Sequence, residues 1–198
     1  MIDSSAFICY NPDSQSGSSI EKRDLNMRLV KCQLTDTEQV YNFYRKVVKH
    51  LDDTVNYPKW DDGHPSKDGV ETAVRRGEQY ICTDSDHIVG ALMLSEDPEG
   101  YYEAGEWSCE LDPGEYLTIH LFAVHPDMPR TGIGSFMLKE CIRIARDRGY
   151  KAIRLDTVPD NHPANGLYLK HGFTYAGTKD LKRNIPNIPL FNLYELNL

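Results

Sequence analysis

Apolar positions recur at helical spacing over residues 36–50, where Val40, Phe43, Tyr44, Val47 and Leu51 fall on one stripe. Thr35-Asp-Thr-Glu38 precedes that stripe and has the form of a capping box. Residues 28–34 alternate well enough for a first strand. Residues 79–83 and 87–94 form two apolar runs around Asp84-Ser85-Asp86, which predicts a hairpin. Residues 68–76 predict a short second helix, after a loop rich in Pro and Gly that carries Trp60. The run from Tyr116 to Val124 is apolar except at Thr118 and His120 and predicts a strand buried on both faces. Residues 133–148 predict the best helix, with Ile133, Met137, Cys141 and Ala145 on one face and Gly149 as its stop. A strand over 151–157, a helix capped by Asp160 or Asn161, and strands over 173–178 and 190–196 complete the chain. The order β-α-α-β-β-β-α-β-α-β-β predicts a mixed α/β sheet.

The segment joining the 116–124 strand to its helix reads His125-Pro-Asp-Met-Pro-Arg130-Thr-Gly-Ile-Gly-Ser135. Strand, glycine-containing loop and helix start together present free backbone N–H groups at the positive end of a helix dipole. Gly132 and Gly134 would let an anion approach the backbone closely. The segment is neither Gly-x-Gly-x-x-Gly nor Gly-x4-Gly-Lys-Ser/Thr, which excludes the usual dinucleotide and Walker nucleotide signatures. By itself it is also compatible with an ordinary strand-to-helix turn.

A second pattern stands one helix and one strand further on: Asn161-His-Pro-Ala164-Asn-Gly-Leu167-Tyr168-Leu-Lys170-His-Gly172-Phe173. Taken together, the two patterns resemble the GCN5-related N-acetyltransferase (GNAT) superfamily. That family carries Gln/Arg-x-x-Gly-x-Gly/Ala and then Asn-x-x-Ala-x-x-Leu-Tyr-x-Lys-x-Gly-Phe. The second pattern is complete here. In the first, Pro129 stands where Gln or Arg would fall, and Arg130 comes one place later. The resemblance is strong over residues 116–178 and compatible over 27–115. It implies a GNAT fold, a central mixed and mostly antiparallel sheet of six or seven strands flanked by about four helices. It also implies an acyltransferase that uses acetyl-CoA as cosubstrate.

The resemblance further implies a division of labour. Arg130, Thr131, Gly132, Ile133, Gly134 and Ser135 would hold the pyrophosphate. The main chain of Phe122, Ala123 and Val124 would pair with the pantetheine arm like an added strand, and Asn161 and Tyr168 would also meet the cofactor. Tyr168 would be the general acid, a phenol that protonates the departing thiolate. His120, in Ile119-His120-Leu-Phe-Ala-Val-His125, resembles the histidine of the serotonin-type members and is the candidate base. It would share a face with Thr118 and Phe122. Glu106, Glu110 and Glu115 are its rivals. Trp60 and Trp107, with Asp61, Asp62 and His64, lie on loops that would flank the acceptor.

Composition bounds the remaining choices. The chain has 198 residues, 40% hydrophobic and 26% charged, enough for one domain over 27–198 behind a flexible arm over 1–26. Residues 7–10 of that arm suggest an extra strand, and an added strand would support a homodimer. The net charge of −8 argues against nucleic acid and suits a cationic amine. No apolar run approaches membrane-spanning length. Five cysteines, an odd number without a Cys-x-x-Cys pair, argue against disulfides or a zinc ribbon, and a cytoplasmic location follows by default. His162 and His171 lack metal-ligand partners, so no metal is expected. The expected function is acetyl transfer to the primary amine of a small molecule by direct attack on the thioester. The alternatives are a non-catalytic CoA-binding or sensing module, suggested by Pro129, or acetylation of a protein N-terminus or lysine.

Overall fold

The structure is a computed structural model and describes residues 26–198. The expected arm, with its strand over 7–10, falls outside the described residues apart from Asn26. Seven strands form one sheet in the order β1-β2-β3-β4-β5-β7-β6. They are β1 (Met27–Lys31), β2 (Gln79–Asp84), β3 (His87–Ser95), β4 (Tyr116–Val124), β5 (Ala152–Thr157), β6 (Thr174–Lys179) and β7 (Phe191–Asn197). All neighbours are antiparallel except β4 and β5, which run parallel. Four α-helices flank the sheet: α1 (Thr37–Asp52), α2 (Lys67–Arg76), α3 (Ile133–Asp147) and α4 (His162–Lys170). The expected mixed α/β architecture is therefore present.

The two faces of the sheet are filled separately. Leu92, Leu94, Leu117, Ile119, Phe122, Ile153 and Leu155 pack with Met137, Cys141 and Tyr168 from α3 and α4. Ile81, Ala91, Leu121 and Ala123 pack with Val40, Phe43, Tyr44, Val47 and Leu51, the stripe that periodicity assigned to α1. The entry to α1 differs from expectation. A 3-10 turn over Leu34–Asp36 leads into it, and the carboxylate that caps this turn is Asp36, which accepts the Gln33 N–H at 2.8 Å. Thr37 donates to the Leu34 carbonyl at 2.9 Å. The Thr35–Glu38 pairing is replaced because the chain leaves β1 early, at Lys31, and turns before position 35.

One irregularity governs the site. Ala91 pairs with Ala123 and Met93 with His120, so β4 carries one more residue than β3 between these pairs. Leu121, at the extra position, has φ of 50°, a left-handed conformation that costs a leucine free energy. The surrounding structure compensates. The Leu121 carbonyl accepts the Tyr44 hydroxyl at 3.1 Å. Tyr44 in turn accepts from Gln79 Nε2 at 3.0 Å, and the same amide donates to the Leu92 carbonyl at 2.9 Å. Both side chains are fully buried. Burial pushes the Tyr44 phenol above its ordinary range despite the Gln79 bond, so the hydroxyl remains a donor.

Removing this donor should be costly. Tyr44→Phe leaves the Leu121 carbonyl unsatisfied in a dry interior, and we expect urea denaturation to show a loss of about 1–3 kcal/mol. A loss below about 0.5 kcal/mol would mean that the bulge is held by other contacts.

Candidate active site

The bulge divides β4 into two functional halves. Tyr116 to Ile119 pair with Ala152 to Leu155 of β5, and the pairing stops there. Beyond it, Ala123 and Val124 pair with Ala91 and Gly90 of β3 only. The two parallel strands thus part where β4 points toward α3. The loop after β4 has two left-handed residues, Arg130 (φ 61°) and Gly132 (φ 84°). Turns of this kind arrange successive N–H groups around an anion-sized concavity. Gly132 is the N-cap of α3, and the Phe136 N–H bonds its carbonyl at 2.9 Å. Among the described residues, the amides of Ile133, Gly134 and Ser135 have no acceptor, and the helix dipole adds to their positive potential. A Cβ added at Gly132 would meet no protein atom within 4 Å. Its φ of 84° by itself favours glycine there. Thr131 spends its hydroxyl on the Met128 carbonyl at 2.9 Å, and Ser135 meets His171 Nε2 at 3.0 Å.

His120 lies at the parting point. It does not share a face with Phe122 as simple alternation predicts. The extra residue at Leu121 turns Phe122 back toward α3 and α4, while Thr118 and His120 point to the other side. His120 Nε2 lies 2.8 Å from Thr118 Oγ1 and 3.0 Å from the Asp97 carbonyl. The Thr118 hydroxyl donates to the Ser95 carbonyl at 2.8 Å, so both neighbours of Nε2 are acceptors. Nε2 must therefore carry the proton, and Nδ1 holds a lone pair in a buried position without a partner among the described residues. Burial is the largest influence on this imidazole. Asp156 pulls its pKa upward and Arg183 downward, and the net effect holds it near 4.

Those two charges belong to a cluster that the sequence analysis did not single out. Asp156, buried on β5, receives Arg183 at 2.7 and 2.9 Å and the Tyr102 hydroxyl at 2.6 Å. Burial alone would raise its pKa, but Arg183 and Tyr102 bring it below the usual carboxylate range. Arg183 also donates to the Glu99 carbonyl at 2.6 Å, tying the loop after β3 over the sheet. Two residues earlier on β5, Arg154 pairs with Glu195 at 2.9 Å between the rings of Trp107 and Tyr116, each 4.4 Å away. Arg154 and Asp156 alternate with apolar residues in a strand otherwise buried on both faces. Charges repeated on one face of such a strand were the available signal.

The remaining expected residues divide. Tyr168 is buried against Phe173 and Tyr194, with ring centroids 5.9 and 5.7 Å away. Asn161 is wholly enclosed. Its side chain caps α4 at the Ala164 N–H (3.4 Å) and donates to Thr157 (3.1 Å). Trp107 stacks on Tyr102 at 5.6 Å, beside the Asp156 cluster. Trp60 is not with it. At 1% exposure it is packed in the α1–α2 core against Tyr44 and His64, because the loop after α1 folds its apolar ring under the helices. Glu106 is tied to Lys179 and Glu115 to Lys151, and Glu110 is exposed, so none of the three rivals His120 in burial. Among the described residues, no group of three or more His, Cys, Asp or Glu side chains is placed to hold a metal, and no helix is long and apolar enough to cross a membrane.

His120 titration should be visible in stability. Its folded pKa lies below that of a free imidazole, so the unfolded chain binds more protons between about pH 4 and 6.5. The stabilisation is present above the unfolded value and is lost as pH falls toward the folded one. Urea unfolding at pH 7, 5.5 and 4.5 should show wild type losing stability more steeply than His120→Gln over this window. Parallel curves would mean that His120 is not held neutral by the fold.

The model of the acetyltransferase (GNAT) family matches residues 36–173. Mycothiol acetyltransferase of Clavibacter sepedonicus is 29% identical over 86 residues, 43% of this chain. That stretch spans 28% of the relative's length. Similar solved structures include GNAT-family acetyltransferases from Listeria monocytogenes (TM-score 0.68, 17% identity, 87% of this chain and 95% of that one) and Streptococcus agalactiae (0.70, 15%, 88% and 97%). The yncA structure from Salmonella typhimurium, solved with its cofactor acetyl-CoA, matches with a TM-score of 0.63 at 16% identity, covering 87% of this chain and 94% of that one.

Proposed function

The chain belongs to the GNAT acetyltransferase family, and from that premise we propose that it transfers an acetyl group from acetyl-CoA to the primary amine of a small molecule. The observation that carries this reading is the parting of β4 from β5 next to a helix start whose first amides lack acceptors. The main chain of Phe122, Ala123 and Val124 receives the amides of the pantetheine arm, as an added strand would. The turn from Arg130 to Ser135 receives the pyrophosphate. Acetyl-CoA, when bound, supplies the acetyl group as an activated thioester.

The protein's own groups then handle protons. Nδ1 of His120 accepts the proton that the amine nitrogen sheds as the N–C bond forms. A base of low pKa suffices, because the nitrogen becomes strongly acidic at that point. The Tyr168 hydroxyl donates its proton to the sulfur as the C–S bond breaks. An acidic chain favours a cationic acceptor at the mouth of the site. The single domain over 27–198, the homodimer and the cytoplasmic location remain part of this reading.

Calorimetry with acetyl-CoA tests the cofactor site first. We expect micromolar binding by wild type and a loss of at least about tenfold in Gly134→Glu, which places a carboxylate in the first turn of α3. No binding by wild type would mean that Pro129 has disabled the cradle. A panel of amines then tests turnover. Tyr168→Phe and His120→Ala should each lower kcat by about 10²–10⁴ with folding retained by circular dichroism. CoA binding with no turnover on any small amine or peptide would favour a sensing module, and preference for peptides would move the acceptor to a protein.

A further inference from the structure

His120 has a neighbour on the next strand that its hydrogen bonds do not reveal. The parallel register of β4 and β5 joins Thr118 to Arg154 and Ile119 to Leu155, and pairing then stops. The next positions in that register are His120 and Asp156. Ile153 and Leu155 pack toward α3 and α4, so Arg154 and Asp156 point to the other side of the sheet, as Thr118 and His120 do. Neighbouring strands lie about 4.8 Å apart. The buried imidazole and the buried carboxylate therefore stand next to each other where the two strands begin to part.

A base in this position needs such a neighbour. An imidazole that takes a proton in a dry interior becomes a buried cation, which is costly without an opposite charge close by. The charged and titratable groups around His120 are Asp156 and Arg154 of β5, Arg183 of the loop between β6 and β7, Asp97 and Tyr102 after β3, Glu195 of β7 and Tyr44 of α1. Arg154 is paired with Glu195 at 2.9 Å. Burial holds the phenols of Tyr44 and Tyr102 neutral. Asp156, Asp97 and Arg183 remain, and of these Asp156 acts on the imidazole most strongly. Arg183 and Tyr102 keep that carboxylate ionised.

We propose that Asp156 is a positioning residue for acetyl transfer: its carboxylate, fixed by Arg183 and Tyr102 on the strand beside His120, stabilises the imidazolium that forms when Nδ1 takes the proton of the attacking amine. The proposal rests on the functional reading above. As the N–C bond forms and the C–S bond breaks, the nitrogen's proton passes to Nδ1 and the Tyr168 proton passes to sulfur. The imidazolium then returns its proton through water to the Tyr168 phenolate. Asp156 keeps its charge throughout and exchanges no proton. A carboxylate beside a general-base imidazole has this effect without itself being protonated.

NMR titration of His120 in the full chain reads this effect apart from turnover. Asp156→Asn removes the anion and leaves Arg183 beside the ring, whereas Arg183→Gln removes the cation and leaves the carboxylate. The wild-type midpoint lies near pH 4. It should fall in Asp156→Asn, whose ring stays neutral at that pH, and rise in Arg183→Gln. An ion pair that only holds the loops would move both variants the same way, and that result, or an unchanged midpoint in either, overturns the proposal. At pH 8, with an amine that wild type acetylates, Asp156→Asn should lower kcat at least about tenfold and leave KM for acetyl-CoA within about twofold. An unchanged kcat overturns the proposal and leaves the functional reading intact. Absence of wild-type turnover on every amine and peptide overturns both. If Tm shows that Asp156→Asn does not fold, Arg183→Gln decides: a midpoint that fails to rise overturns the proposal.

Discussion

The left-handed residue in the middle of β4 is the constraint on which the site depends. A leucine at φ 50° in a buried strand is held there only if its displaced backbone groups find partners. Tyr44 and Gln79 supply them from α1 and β2, a hydroxyl for the carbonyl of the bulge and an amide for the carbonyl of the strand opposite. Three consequences follow from that one extra residue. β4 leaves β5 after Ile119, the main chain of its last turn of pleat becomes available on one edge, and every later side chain changes face. His120 and Phe122 therefore look in opposite directions although they are two apart.

The side of the sheet faced by His120 is shaped by two buried ion pairs. Such pairs contribute little net stability, because the cost of removing two charges from water offsets most of their attraction. Their effect here is to fix loops. Arg183 joins Asp156 to the carbonyl of Glu99, and Arg154 joins Glu195 to the Cys109 carbonyl at 2.8 Å. Both arginines reach from the sheet region to the long segment between β3 and β4. That segment supplies the Asp97 carbonyl that fixes the His120 tautomer. The loop is thus fastened at several points around an imidazole nitrogen that has no partner among the described residues, which is how a fold keeps a basic group dry and correctly oriented.

Much of this was legible in the chain. The helix stripe of α1, the hairpin of β2 and β3, the limits of β4 and the start of α3 follow from period and from glycine placement, because each is decided by local pattern. The bulge was not legible. Tyr116 to Val124 reads as a uniformly buried run, and in such a run nothing marks where the alternation slips, so the pairing of His120 with Phe122 followed from an unbroken period of two. The surroundings of His120 were obscure for a related reason. They bring together Thr118 of β4, Asp97 after β3 and Asp156 of β5 with Arg183, and an aromatic such as Trp60 on a polar loop gives no sign of whether it folds inward to a core or outward to a ligand. Arg154 and Asp156 were visible, but their meaning depended on partners about 40 and 27 positions away.

Proline at position 129 illustrates how a local departure can be absorbed by geometry. It removes one N–H donor and fixes its own φ. The residue that follows takes a left-handed conformation, as does Gly132 two places on, so the chain still turns back on itself before α3. The donors that point along the helix axis come after this turn, at Ile133, Gly134 and Ser135, and their orientation is set by the helix rather than by the identity of residue 129. What the proline removes is a donor outside α3. The dipole of α3 and the amides of Ile133, Gly134 and Ser135, which have no acceptor among the described residues, are left in place.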